Sequence, residues 1–211
     1  EAREFLGILL QAFDPEQMRK QIRNYLTEHY DRKQFAKYLR LLKKPLVKKM
    51  VELEIRSGTP EAQMQMMQQA NVFMAKLPSK RIALLRSLDT ATHSSRQLVE
   101  GNVRMFQTMT RAINSLLPAG QQMPAEQFES ISRNIREQGL YPAQQQILLQ
   151  MAWAYQEASD QDLKRYLKIN QSKTGQALLQ LMEEANLILF EQISRKISEQ
   201  VRQKILQNRS A

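Results

Sequence analysis

FAKYLRLLKKPLVKKMVEL, residues 35–53, lies without a gap on LKRYLKINQSKTGQALLQL, residues 163–181, at a constant offset of 128. Tyr38 falls on Tyr166, Leu39 on Leu167 and Leu53 on Leu181, while Phe35 meets Leu163, Leu41 meets Ile169 and Met50 meets Leu178. Basic positions follow the same offset, with Lys37 on Arg165 and Arg40 on Lys168. Upstream, Tyr25 faces Trp153 and Asp31 faces Ser159. Apolar residues retained at helical spacing predict two copies of one helical unit, because a helix buries one stripe and leaves the rest to drift. The expected fold is therefore all-α: a multi-helix bundle of two pseudo-repeated helical halves with two long helices. The first half is expected at 1–117 with its repeat core at 25–57, and the second at 118–211 with its core at 150–184, packed as one compact unit. Leu117-Pro118-Ala119-Gly120-Gln121-Gln122 is the seam between them.

Prolines announce most helix starts, since the first turn has no use for the missing N–H. Asp14-Pro15, Lys44-Pro45, Thr59-Pro60, Met123-Pro124 and Tyr141-Pro142 all read this way. Asp31 and Ser159 are predicted N-caps. The helices so drawn run roughly over 2–13, 15–29, 31–43, 45–57, 60–76, 79–117, 124–138, 142–157, 159–170 and 172–208. The two long ones are 79–117, with Gly101 its weak point, and 172–208. No stretch alternates with a period of two between turn signals, so no sheet is expected.

At 211 residues the chain can bury a full core, and its 42% apolar and 25% charged composition is that of a globular protein. Having no cysteine, it can form neither disulfides nor thiolate metal sites. No apolar run approaches the ~20 residues that span a bilayer. The chain begins at Glu1 and is read as processed, with any targeting segment removed. Its net charge of +10 suits attraction to anionic surfaces and serves solubility equally well.

YQEASDQDLKRYLKINQSKTGQAL, residues 155–178, resembles the core of a family of exported bacterial proteins defined only as a domain of unknown function. That family has a Ser-Asp-x-x-Leu helix start, matched by Ser159, Asp160 and Leu163. A Ser-Pro-x-Gly turn follows, matched by Ser172 and Gly175 with Lys173 in place of proline. The other copy keeps Pro45 but carries Lys44 and Val47 where Ser and Gly stand. RIALLRSLDTAT, residues 81–92, is similar to a segment that precedes the core in some members. The resemblance implies an all-helical fold and export to the periplasm, and it implies no activity. Ser172, Pro45 and Gly175 are then structural turn residues: a cap, a helix start and a close approach.

Of the functional candidates, the densest is basic: Lys33, Lys37, Arg40, Lys43, Lys44, Lys48 and Lys49. Lys33, Lys37, Arg40 and Lys44 line one side of a helix whose other side carries Phe35, Tyr38, Leu39 and Leu42. Such a cluster is either a solvated face or an anion-binding site. With Phe35 and Tyr38 assigned to the core stripe it lacks stacking platforms, which argues against nucleic acid. Met64, Met66, Met67 and Met74, with Phe73, are core filling or an adaptable surface for an apolar ligand or partner protein. Ile193, Ile197, Val201 and Ile205 form a narrow row on a charged helix, expected to meet another helix: the chain's own 79–117, or a second copy in a homodimer.

Catalytic candidates are absent from the reading. Glu183 and Glu184 are adjacent and point apart, His29 and His93 lack metal-ligand spacing, and no phosphate loop or nucleophile motif occurs. No cofactor or metal is expected. The chain reads as a non-catalytic binding or scaffolding module. The alternatives are a basic adaptor for an anionic surface (lipid headgroups, cell-wall polymer or nucleic acid) and, more weakly, a hydrolase with an unrecognised site.

Overall fold

A computed structural model describes residues 14–29, 32–115 and 117–209. The described residues are all-α, with no strand among them. In chain order the helices are α1 Pro15–His29, α2 Arg32–Leu42, α3 Pro45–Ser57, α4 Pro60–Ala75, α5 Ser79–Thr92, α6 Ser94–Asn114, α7 Ala125–Ala154, α8 Asp160–Gln171 and α9 Lys173–Arg209. The helix expected at 2–13 and the cap expected at Asp31 lie outside the described residues.

The predicted Ser159 cap is in place, and the residues before two of the helix-starting prolines cap as well. Asp14 Oδ1 accepts the N–H groups of Glu16 and Gln17 at 2.9 and 3.3 Å, ahead of Pro15. Thr59 Oγ1 accepts from Ala62 N at 3.3 Å, and Ser159 Oγ from Asp162 N at 3.1 Å. Pro45 opens α3 directly after Lys44.

Two boundaries differ from expectation. The stretch 79–117 is not one helix: it breaks at His93, which takes left-handed backbone angles (φ 55°, ψ 21°). Side chains enforce the break. The Asp89 carboxylate accepts Ser95 N–H at 2.8 Å and Ser95 Oγ–H at 2.6 Å, while Thr92 Oγ1 and Ser94 Oγ share a bond of 2.7 Å. Asp, Ser and Thr clustered in this way offer the backbone an alternative to the helical ladder, and they win it here. Gly101, the suspected weak point, sits inside an unbroken α6.

Conversely, Pro142 does not start a helix but lies inside the 30-residue α7. Gly139, Ala143 and Ile147 are buried or half-buried at four-residue spacing around it. A helix that stays continuous buries all three, which opposes the roughly 3 kcal/mol an internal proline costs. Gln138 and Pro142 are exposed, so water can serve the carbonyl the ring leaves unbonded. The long helices are thus α7 and the 37-residue α9.

The chain forms two compact units. Unit 1 comprises 1–30, 99–138 and 182–211, and unit 2 comprises 31–98 and 139–181. The division expected after residue 117 runs along the chain, whereas each unit draws on both expected halves, and the boundaries fall inside α6, α7 and α9. Tyr25 and Trp153, aligned by the 128-residue offset, belong to different units.

Unit 1 buries Val103, Ala185, Leu189, Ile193 and Ile197. Phe106 stacks on Phe128 with centroids 5.7 Å apart, and Arg111 lies 5.6 Å over the same ring. Thr108 Oγ1 bonds Ser194 Oγ, which fixes α6 against α9. Unit 2 is centred on Met50, Leu85, Leu88, Ala152 and Leu163, with Phe73 edge-on to Trp153 at 5.3 Å.

The two aligned turns are built differently. Lys43 and Lys44 separate α2 from α3, whereas Ser172 alone separates α8 from α9. Ser172 Oγ accepts Gly175 N–H at 3.1 Å and donates to the Ile169 carbonyl at 2.6 Å. A Cβ on Gly175 would lie far inside contact distance of the Ile169 oxygen and 2.8 Å from the Asn170 oxygen. Val47, at the corresponding place, carries a Cβ and is buried, so its backbone has no such approach. Gly175→Ala should therefore cost on the order of 3 kcal/mol in urea denaturation. Gly120→Ala, whose Cβ would meet nothing within 4 Å, should stay within about 1 kcal/mol of the parent.

Candidate functional site: a basic helix face

All seven predicted cations are solvent-exposed. They belong to α2, the two-residue turn and the first part of α3, all within unit 2. Arg32 joins them, and no Asp or Glu occurs between residues 32 and 51. The structure divides the cluster. Lys49 Nζ is paired with Asp162 Oδ2 at 2.9 Å, and this bond holds the Asp162 carboxyl below its ordinary value. Arg40 Nε donates to the Ala36 carbonyl at 3.3 Å, which lays that side chain along its own helix. Lys37, Lys43, Lys44 and Lys48 extend the positive surface around them.

The apolar side of α2 is rotated from the predicted stripe. Tyr38 and Leu41 are buried, Phe35 is half-buried, and Leu39 and Leu42 are 45% and 40% exposed. Leu41, outside the predicted stripe, faces the core in place of Leu39 and Leu42. Of the five large apolar side chains of α2, only Tyr38 and Leu41 are buried.

The isoleucine row is described in part. Ile193 and Ile197 are buried inside unit 1, Ile197 completely, so neither is available to a second copy. Next to Ile193, Ser194 is bonded to Thr108 of α6 within the same unit. The side chains of Val201 and Ile205 lie outside the described ones. The methionines divide as well: Met66 is buried and Met74 half-buried, while Met64 and Met67 are exposed.

Sequence reasoning missed a polar cluster in unit 2. Glu54 Oε1 accepts Tyr155 Oη–H at 2.6 Å and Tyr166 Oη–H at 3.1 Å, and the two rings meet edge-on at 6.2 Å. Burial raises the Glu54 carboxyl above its ordinary 4.5, and the two phenol bonds oppose that rise. Burial, then the facing Glu54 charge, pushes Tyr155 well above its ordinary 10.0 and Tyr166 up as well. Beside this cluster Arg81 forms a clamp: its guanidinium donates to the carbonyls of Tyr155 and Ala158 at 2.6 and 2.9 Å and pairs with Asp160. These groups are spent on one another. The carboxylate already accepts two phenol hydrogens, and the arginine already holds three oxygens.

A cleft of about 340 Å³ lies between α5 and α7 of unit 2, floored by Leu85 and Leu148 and rimmed by Arg86, Asp89 and Tyr141. Its carboxylate is the one that caps α6 through Ser95. Among the described residues no group of His, Asp or Glu is arranged to hold a metal, and no helix is long and apolar enough to cross a membrane. No protein-family model, curated protein or solved structure matches the chain.

The tyrosines give this cluster a pH signature. In the folded state both keep protons that the unfolded chain loses near pH 10, so the native state binds more protons there and stability falls as pH rises through that value. Glu54 acts in the same direction at acid pH: it contributes most below 4.5 and less as pH climbs toward its raised value. Tyr166→Phe should lose about 1–3 kcal/mol at neutral pH and show a shallower decline above pH 10 than the parent. Urea denaturation at both pH values measures this. Phenolate absorbance on the parent should show two of its six tyrosines titrating only as the fold is lost.

Proposed function

We propose that the chain is a non-catalytic binding module whose contact surface is the basic face of α2, the following turn and α3, and whose ligand is a polyanion. The observation that carries this reading is the stretch from residue 32 to 51, whose lysines and arginines are all exposed and which contains no Asp or Glu. Apart from Lys49, held by Asp162 of α8, these cations have no carboxylate interspersed in their own stretch, so their potentials add, where an ordinary solvated surface mixes signs and cancels them. The face is mounted on a core held by the Glu54 and Arg81 clusters, so its helices are presented on a packed support. The resemblance of residues 155–178 to exported bacterial proteins adds a periplasmic setting to the proposal, where phosphate- and carboxylate-rich polymers and lipid headgroups are the available anions. A catalytic reading has less support, because the half-buried Glu54 carboxylate and the clamp arginine are both committed to structural bonds.

Heparin, as a soluble polyanion, tests the surface. The parent should bind at low salt and weaken on the order of a hundredfold between about 50 and 200 mM salt, as expected when about four cations release counterions. Replacing Lys37, Arg40, Lys44 and Lys48 together by Gln should remove most of the affinity and most of the salt slope. All four are exposed, so the melting temperature should hardly move. Unchanged heparin affinity in that variant would refute the assignment.

A further inference from the structure

The apolar residues that α2 leaves in water narrow the choice of polyanion. Phe35, Leu39 and Leu42 follow one another at four and three residues, so they form a strip along the helix. Leu39 lies one turn from Lys43 and two turns from Arg32, so the strip runs directly beside the basic band. Leu39 and Leu42 are nearly half exposed, while Tyr38 and Leu41 hold the helix to the core. The helix thus has three sectors in order around its axis: buried, partly exposed apolar, and cationic.

A soluble polyanion uses only the last of these. A single-stranded nucleic acid would look for flat rings among the charges, and α2 offers none: Tyr38 is buried and Phe35 is half-buried. An anionic bilayer uses both outer sectors, with headgroup phosphates meeting the lysines and arginines while leucines enter the boundary between headgroups and acyl chains. Juxtaposed basic and apolar sectors on a surface helix are what such a boundary selects, and the absence of carboxylates from 32 to 51 removes the usual repulsion from the lipid charge.

Resting on the polyanion reading above, we propose that α2 docks on an anionic phospholipid surface, with Leu39 and Leu42 inserted among the headgroups and the neighbouring cations on their phosphates.

The test sets vesicles against heparin, using the full chain. Flotation with phosphatidylcholine vesicles should show no binding, and vesicles mixed with phosphatidylglycerol should carry the protein. Leu39→Ser combined with Leu42→Ser should weaken binding to the mixed vesicles about tenfold or more and leave heparin affinity unchanged. The chain has no cysteine, so Leu39→Cys takes a single environment-sensitive fluorophore. Its emission should shift to the blue with mixed vesicles and stay unshifted with heparin. That readout needs only the one conservative substitution, so it stands even if the double serine variant unfolds. Heparin binding without vesicle binding, or vesicle binding with no emission shift and no loss in the serine variant, overturns the lipid proposal and leaves the polyanion reading intact. Tight binding to nucleic acid that persists at high salt, with none to vesicles, also overturns it. Failure to bind either heparin or vesicles overturns both.

Discussion

The core of unit 2 is tied together at one half-buried carboxylate. Glu54 comes from α3, Tyr155 from just past the end of α7, and Tyr166 from α8, and a single oxygen of Glu54 gathers both phenols. Hydrogen bonds to a charged acceptor contribute about 1.5–3 kcal/mol each, but only against the cost of taking that charge out of water. The raised carboxyl shows that desolvation is the larger effect on Glu54 itself. The cluster is accordingly an expensive way to join three segments, and its return is specificity. An apolar residue at 54 could slide among the surrounding leucines, whereas a carboxylate has one position that satisfies it. Arg81 repeats the device one step along, donating to the Ala158 carbonyl and to the Tyr155 carbonyl, which also accepts the Ala158 N–H across the turn between α7 and α8.

Much of the fold was legible because its signals are local. Proline after a capping residue marks a helix start within a few positions, and Asp14, Thr59 and Ser159 cap as their chemistry dictates. The same rule failed at Pro142 because what overrides it is tertiary: burial of Gly139, Ala143 and Ile147 along one face. At His93 the signal was present but underweighted. Asp, Thr, Thr, Ser and Ser crowd into 89–95, a polar density that breaks a helix more surely than the isolated Gly101. The Glu54 cluster left no local trace, since Glu54 is about a hundred residues from either tyrosine, and Glu54 and Tyr166 sit at ordinary helical positions.

The candidate site was legible in its charge and not in its apolar part. Counting cations needs only the sequence, and exposure follows because an unpaired ammonium is rarely buried. Deciding which leucines of α2 face inward needs the direction of the core, and five apolar positions in eleven residues leave that direction open. Periodicity places the stripe to within about one residue's rotation, roughly 100°. That is the margin between Leu41, which is buried, and Leu42, which is 40% exposed, and so between an ordinary amphipathic helix and one with apolar residues beside its lysines.

That rotation also bears on how the aligned segments diverge. At the second turn, Gly175 lets the α9 backbone come against the carbonyls of Ile169 and Asn170, and Ser172 caps the junction in a single residue. At the first, Val47 excludes that approach, two lysines replace the capping serine, and Pro45 starts the next helix unaided. A tight capped turn uses its polar groups on itself. An open turn with uncapped lysines leaves its charge outward, at the end of the helix whose leucines are also outward. The residues that open the first turn and those that make it basic are the same stretch, 43 to 48, so its looseness and its outward charge come together.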